Sequence, residues 1–331
     1  MKDIHIHVIA YLSIVIIISV SCVTDNEEPA SQVRNDNAQQ LTYSNDGESA
    51  QNPAFSPDGN YILFTRFING YNNPPSELVK INISSGEETV IVAHQGNVEH
   101  INAPGSSWID GKICWSSDLA GQSNEIYVAN DDGSGIVQVT NHPESEGYYI
   151  EPVFNPVNTS KIIFETGISD NSPHGIAIVE LDVNNRVTFL TGDSSYDDRL
   201  PNWSPDGQTI LFQRAGSGSE NWQIFTAEIN FGGADPVLGN VTKINQPDAA
   251  NTDNSWYYNN VQILSSTKYN SSMPSIYLLP INGDSPSRIT NTDTNEDGAP
   301  SCSPDGKQVA FETHLGEDEE YPSEIWIIEI D

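Results

Sequence analysis

Residues 52–66 read NPAFSPDGNYILFTR, residues 200–214 read LPNWSPDGQTILFQR, and residues 299–313 read APSCSPDGKQVAFET. Three copies of one phrase within 331 residues mark a repeat protein. Weaker copies are EPVFNPVNTSKIIFET at 151–166, APGSSWIDGKICWSS at 103–117 and DNSWYYNNVQILSST at 253–267. Anchored on the first proline of each copy, or on Asn254 where it is replaced, the repeats begin at 53, 104, 152, 201, 254 and 300. Their separations of 51, 48, 49, 53 and 46 residues fit one four-stranded blade per repeat.

Each copy has a physical reading. A short first strand ends at Ser-Pro, and Asp-Gly then turns the chain, because glycine accepts positive φ and aspartate bonds nearby backbone. The second strand alternates apolar positions, as in Ile62/Phe64, Ile162/Phe164, Ile210/Phe212 and Val309/Phe311. Third strands follow at 78–81, 125–128, 176–179, 223–226, 276–279 and 324–327, and fourth strands at 89–92, 137–141, 188–191, 241–245 and 288–291. The sixth repeat lacks a fourth strand, and Gln40-Leu41-Thr42-Tyr43-Ser44 precedes the first repeat as such a strand would. The expected fold is therefore all-β: a six-bladed β-propeller of four-stranded antiparallel blades over residues 39–331, its ring closed by an N-terminal strand from 39–44.

Composition agrees and narrows the function. Thirteen Lys+Arg against 46 Asp+Glu leave a net charge of −33, which excludes nucleic acid and disfavours an anionic lipid surface. Residues 1–21 carry Lys2 and an apolar run from Val8 to Val20, the pattern of an export signal. The small residues before Cys22 resemble the lipobox of bacterial lipoproteins. That resemblance implies lipidation of Cys22, a polar tether over 22–38, and an outer-membrane lipoprotein of the cell envelope, facing the periplasm or the surface. Cys114 and Cys302 stand in strand-like contexts and are expected to be buried free thiols.

The Pro-x-Trp-Ser-Pro-Asp-Gly and Ile-x-Phe pattern, followed by Glu125-Ile126-Tyr127-Val128-Ala129-Asn130 and Asp132-Gly133-Ser134-Gly135, resembles the TolB-like propeller repeat. The likeness covers 39–331 and does not extend to the N-terminal α/β domain of TolB. Oligogalacturonate lyases are broadly similar, and that resemblance implies channel histidines holding a divalent metal on a seven-bladed ring.

Function on a propeller sits where loops meet the channel. The segments just before each first strand carry the channel-mouth candidates His100, Asn102, Tyr149, Glu151, Asp198, Arg199, Asp253 and Asp297. This set is acidic and amide-rich, with Arg199 its one cation. Oxygen ligands of this kind suit Ca²⁺, and Asp293-x-Asn295-x-Asp297-Gly298 begins like an EF-hand loop, although Pro304 stands at its twelfth position. A solvated acidic turn is the simpler reading of that loop, so no cofactor is expected, with Ca²⁺ the alternative. Asp58, Asp206 and Asp305 are assigned to turns. The chain contains no Gly-x-Ser-x-Gly elbow, His-Glu-x-x-His helix or Cys-x-x-Cys pair. Tyr148, Tyr149, Tyr196, Trp222 and Tyr321 are candidate contact aromatics. The expectation is a non-catalytic, monomeric envelope lipoprotein whose propeller binds a protein or polysaccharide partner. The alternative is a metal-dependent polysaccharide lyase that works through His100.

Overall fold

The computed structural model describes residues 34–96, 99–105, 107–118, 123–143, 147–167, 174–244, 246, 248–282, 284–292, 294–315 and 322–330. Cys22, the export signal, Asp293 and Tyr321 lie outside them. Six antiparallel sheets form six blades. Blade 1 runs Ser49–Phe55, Tyr61–Phe67, Ser76–Asn82 and Glu88–Val92 from the inside outward. The innermost strands of blades 2 to 6 are Ile101–Asn102, Tyr148–Asn155, Tyr196–Trp203, Asn251–Trp256 and Asn295–Cys302. Fourth strands exist in every blade but are short, as at Val137–Gln138 and Ser287–Arg288. No helix among the described residues is long and apolar enough to cross a membrane.

The turns behave as their sequence demands. In blade 1 the Ser56 hydroxyl donates to Asp58 at 2.6 Å, and the same Asp58 oxygen accepts the Asn60 N–H at 3.0 Å. Gly59 sits at φ 72°, a conformation open to glycine. Ser204/Asp206/Gly207 and Ser303/Asp305/Gly306 repeat this arrangement. These hydrogen bonds hold the Asp58 and Asp305 carboxyls below their ordinary range. In blade 3 Asn155 replaces the serine, and its amide oxygen accepts the Val157 and Asn158 N–H groups.

The core lies between successive blades. Phe64, Phe164, Phe212 and Phe311, each from the Ile-x-Phe or Val-x-Phe strand of its blade, have no exposed surface. Cys114 is buried, Cys302 is half-buried, and both are free thiols; burial raises Cys302 to about 12 and Cys114 further, which disfavours the thiolate at both.

Closure uses the N-terminal segment. Gln39–Gln40 pairs with Ile327 and Trp326, and the Leu41 N–H donates to the Ile325 carbonyl at 2.8 Å. The Thr42 hydroxyl then donates to Glu324 at 2.5 Å. Docking begins earlier than a tether over 22–38 implies. Arg34 forms a bridge with Thr292, and its guanidinium donates to both oxygens of Asp297 at 2.9 and 2.8 Å. Asp36 takes two further donors from it at 3.0 Å, and the group lies 5.0 Å above the Phe311 ring. A bidentate pair stacked on an aromatic ring explains why this basic residue is buried.

Removing the guanidinium leaves Asp297, which is fully buried, with Thr313 as its side-chain donor. Arg34→Met is expected to cost about 3–5 kcal/mol, read as a lowered midpoint in denaturant unfolding. Arg34→Met combined with Asp297→Asn should recover part of that loss.

Candidate functional site

Five of the six inner strands break step at the same place. The register slips between Gln51 and Ala54, Ile150 and Val153, Arg199 and Asn202, Thr252 and Ser255, and Gly298 and Ser301. In each case the residue preceding the repeat's anchor is left-handed: Asn52 at φ 56°, Glu151 at 53°, Leu200 at 49°, Asp253 at 50° and Ala299 at 46°. Asparagine and aspartate tolerate this region, whereas Glu, Leu and Ala occupy it at a cost of roughly 1–3 kcal/mol each. The bulge bends the strand and turns one backbone N–H out of the ladder.

At the bulges of blades 1, 4 and 6 that N–H finds its acceptor on a neighbouring blade. The Asn52 N–H donates to Glu312 at 2.9 Å, and the Leu200 N–H to Glu165 at 3.0 Å. In unbulged blade 2 the Ala103 N–H donates to the Thr65 hydroxyl at 3.2 Å. Thr65, Glu165 and Glu312 each directly follow the phenylalanine of the Ile/Val-x-Phe strand, so one repeat position joins blades 1 and 2, 3 and 4, and 6 and 1. The Asp253 carboxylate does the same from the bulge itself, accepting the Ala299 N–H.

The bulges line a central cavity of about 220 Å³. Glu151, Asp253, Glu296 and Glu312 face it, with the amides Gln51, Asn52, Asn102 and Asn254. Among the described residues no lysine or arginine lines it. A relay crosses three blades: the Asn52 amide donates to the Asn102 carbonyl at 2.8 Å, and the Asn102 amide to Glu151 at 2.9 Å. The Tyr71 hydroxyl donates to Glu312 at 3.2 Å, and the negative charge of Glu312 is the main reason that phenol resists ionisation.

Carboxylates gathered here without a cation titrate late. Desolvation, then repulsion from Glu165, Asp253 and Glu312, pushes Glu151 up to about 8. Desolvation, with repulsion from Asp253 and Glu296, pushes Glu312 up to about 7 despite the Asn52 and Tyr71 donors. Burial raises Asp253 as well. Gly298 stands between them, where an added Cβ would lie 3.2 Å from an Asp253 oxygen and 3.7 Å from a Glu312 oxygen.

Of the eight residues expected at the mouth, Asn102, Glu151 and Asp253 line the cavity. The other five are engaged elsewhere. Asp297 is held by Arg34, which withdraws it from any calcium loop. Asp198 is buried and accepts two bonds from Arg214 at 2.5 and 2.8 Å. Arg199 pairs with Asp197 at 3.0 Å and lies 5.1 Å over the Trp222 ring. Tyr149 is buried between His142 and Phe164, with ring centroids at 4.0 and 4.8 Å. His100 packs on Phe67 at 5.3 Å, and burial lowers its pKa. A strand alternates faces, so in a six-residue segment only the bulge and its alternate neighbours reach the channel.

Sequence reading passed over Glu312, Tyr71, Gln51 and Asn254. Glu312 lies in the quoted repeat, at a position where the other copies carry Thr, Ser, Glu, Gln and Ser. Asn254 stands where every other copy has proline. These departures were the available signals. Beside the channel, Glu165 also bonds His174 Nδ1, while His174 Nε2 lies 2.8 Å from the Tyr148 hydroxyl.

No protein family matches the chain by sequence, and neither does any curated protein. Among solved structures it is similar to a putative TolB from Agrobacterium tumefaciens, at 17% identity, TM-score 0.58, and 86% of this chain on 91% of that one. The likeness to TolB from Acinetobacter baumannii has 17% identity and TM-score 0.56, with 86% of this chain spanning 64% of that one. The chain has the TolB-like propeller fold. An oligogalacturonate lyase in complex with manganese is similar at 12% identity and TM-score 0.55, over 88% of this chain and 80% of that one. At these identities the likenesses establish the TolB-like six-bladed fold alone.

The carboxyls of the channel set a pH dependence whose sign is fixed. A carboxyl with a higher pKa folded than unfolded binds its proton more tightly in the folded state. Its stabilisation is complete below the unfolded value of 4.5 and is lost as pH rises through about 7 for Glu312 and about 8 for Glu151. The melting temperature should therefore fall by roughly 3–6 °C between pH 5 and pH 8.5 in metal-free, amine-free buffer. Glu151→Gln, which copies the protonated carboxyl, should flatten that slope; an equally steep slope in the variant would remove Glu151 as its source.

Proposed function

We propose that the protein is a non-catalytic binding platform of the cell envelope, anchored through lipid on Cys22, that receives its partner at the acidic channel. The observation that carries this reading is the inner ring. Strained bulges hold Glu151, Asp253 and their amide neighbours rigidly around an open cavity, a costly arrangement that packing alone does not require. Among the described cavity-lining residues no serine, threonine or cysteine is hydrogen-bonded to a histidine or carboxylate side chain, and carboxyls and amides predominate, which suits recognition. The TolB-like fold supports a protein partner, and a polysaccharide is the other class that the loops suit. The protein acts as a monomer in this reading.

The charge of the chain sets the partner's sign. A cationic partner surface should bind more weakly as salt approaches 1 M, where the Debye length is ~3 Å. Mass spectrometry of the mature N-terminus tests the anchor, and an unmodified Cys22 ends it.

A second reading has one specific observation behind it. The Tyr148–His174–Glu165 chain beside the channel has the arrangement of a proton relay, and an oligogalacturonate lyase is among the structural likenesses. A metal-dependent polysaccharide lyase should generate unsaturated product, seen by its ultraviolet absorbance, from oligogalacturonate with Mn²⁺. The platform reading expects none, and a signal abolished by His174→Ala or His100→Ala would replace it with the lyase.

A further inference from the structure

The cavity wall holds buried polar atoms without partners, which its acidity alone does not explain. Asn254 is 5% exposed, and neither its amide oxygen nor its amide nitrogen has a partner. Gln51 is 1% exposed, and its amide oxygen has none. Both side chains belong to the cavity wall, on blades 5 and 1, together with Glu151, Asp253 and Glu312. Buried amides without partners are uncommon and costly, and here they flank uncompensated carboxyls. The wall offers acceptors from several sides and, among the described residues, no lysine or arginine to meet them, His314 being its one imidazole.

We propose that the channel is a receptor for an organic cation of the guanidinium class, which Glu151, Asp253 and Glu312 engage with Asn254 and Gln51 contributing amide oxygens. This rests on the binding-platform reading and specifies its ligand. A bare metal ion gathers its ligands around one point, at roughly 2.3–2.6 Å for calcium. No three acidic, histidine or cysteine side chains among the described residues converge in that way. A guanidinium presents five N–H groups across a plane, and so satisfies acceptors spread around a cavity. At about 220 Å³ the space lies below the usual ~300–1,000 Å³ of drug-sized pockets, and suits one side chain or a small amine.

The protein already holds one guanidinium this way. Arg34 is clasped by Asp297 and Asp36 over Phe311. Asp297 directly precedes Gly298, which lines the cavity between Asp253 and Glu312. The same strand thus presents a carboxylate to a guanidinium on its outer side and a Cβ-free gap on its channel side.

Binding exchanges protons for the cation. The titratable groups facing the carboxyls are Glu165 from blade 3, Glu296, Glu312 and His314 from blade 6, Asp253 from blade 5, and Tyr71 from blade 1. Anionic neighbours dominate this set, so the empty channel retains protons and an entering cation expels them.

Isothermal titration of the purified protein with agmatine tests this, with putrescine, CaCl₂ and MnCl₂ as parallel probes. One agmatine should bind per chain at pH 8, at least about tenfold more weakly at pH 5.5, with proton release revealed by buffers of different ionisation enthalpy. Putrescine, which lacks the planar fork, should bind more weakly. Glu151→Gln and Asp253→Asn should each weaken agmatine at least about tenfold. These amides copy the protonated carboxyls, so the variants should fold, as unchanged circular dichroism would verify. A short peptide with one arginine that binds as tightly as agmatine assigns the guanidinium to a partner protein; a preference for agmatine assigns a free solute. Agmatine binding undiminished in both variants overturns the proposal. So does binding of Ca²⁺ or Mn²⁺ in place of agmatine that Glu151→Gln removes, an outcome that leaves the platform reading standing. Lyase activity would overturn the platform reading and this inference with it.

Discussion

One peptide in each of five inner strands is turned out of its ladder, and the channel is built from that displacement. Six strands crowding one axis cannot all keep flat, regular edges facing each other. A bulge bends the strand, increases its twist and frees an N–H that must be satisfied nearby. At three of the bulges the satisfying group comes from an adjacent blade, by way of Glu165, Asp253 or Glu312, and Thr65 serves unbulged blade 2 in the same way. Two of these four residues, Asp253 and Glu312, also line the cavity, so joint and lining are partly made by the same side chains. Glu312 caps the Asn52 bulge and is also a wall of the channel. A change there disturbs ring geometry and channel chemistry together.

The same chemical group behaves in opposite ways in two parts of each blade. Asp58 and Asp305 sit in hairpins, accept hydroxyl and backbone N–H donors, and are held below the ordinary carboxylate range. Glu151 and Glu312 sit where the blades converge, lose water, face one another's charge, and hold their protons toward neutrality. The channel donors, Asn102 to Glu151 and Asn52 with Tyr71 to Glu312, are too few to reverse desolvation and repulsion. A protein of net charge −33 has many carboxylates, and position on the blade decides which are structural anions and which are exchangeable acids.

Much of this architecture was legible in the sequence because its signals are local. Ser-Pro-Asp-Gly specifies a hairpin through contacts within five residues, and Ile-x-Phe specifies a buried strand through alternation, so blade number and strand order follow. Asn102, Glu151 and Asp253 were legible as channel residues because the bulge lies at a constant offset from the repeat's anchor. Asp297, Asp198 and Tyr149 were misleading because their partners lie far along the chain or across the sheet. Arg34 reaches Asp297 over 263 residues, and no local pattern announces that pair. The docking of 34–38 was hidden for the same reason, since a polar segment reads as solvated unless its buried counterion is known.

Degeneracy among the blades carries its own information. Regular blades place a proline after the left-handed residue, which fixes φ and adds no polar atom to the wall. Blade 5 places Asn254 there instead, giving up that rigidity for an amide whose oxygen and nitrogen both lack partners. Blade 2 lacks the bulge, yet supplies Asn102, which accepts from Asn52 and donates to Glu151. One side of the channel is thereby wired by a closed amide relay, while the side around Asn254 and Asp253 is left unsatisfied. A symmetric ring of six identical repeats would present equal walls and no orientation. The two most degraded copies remove that symmetry, and they leave the polar atoms of the channel unevenly satisfied around the ring.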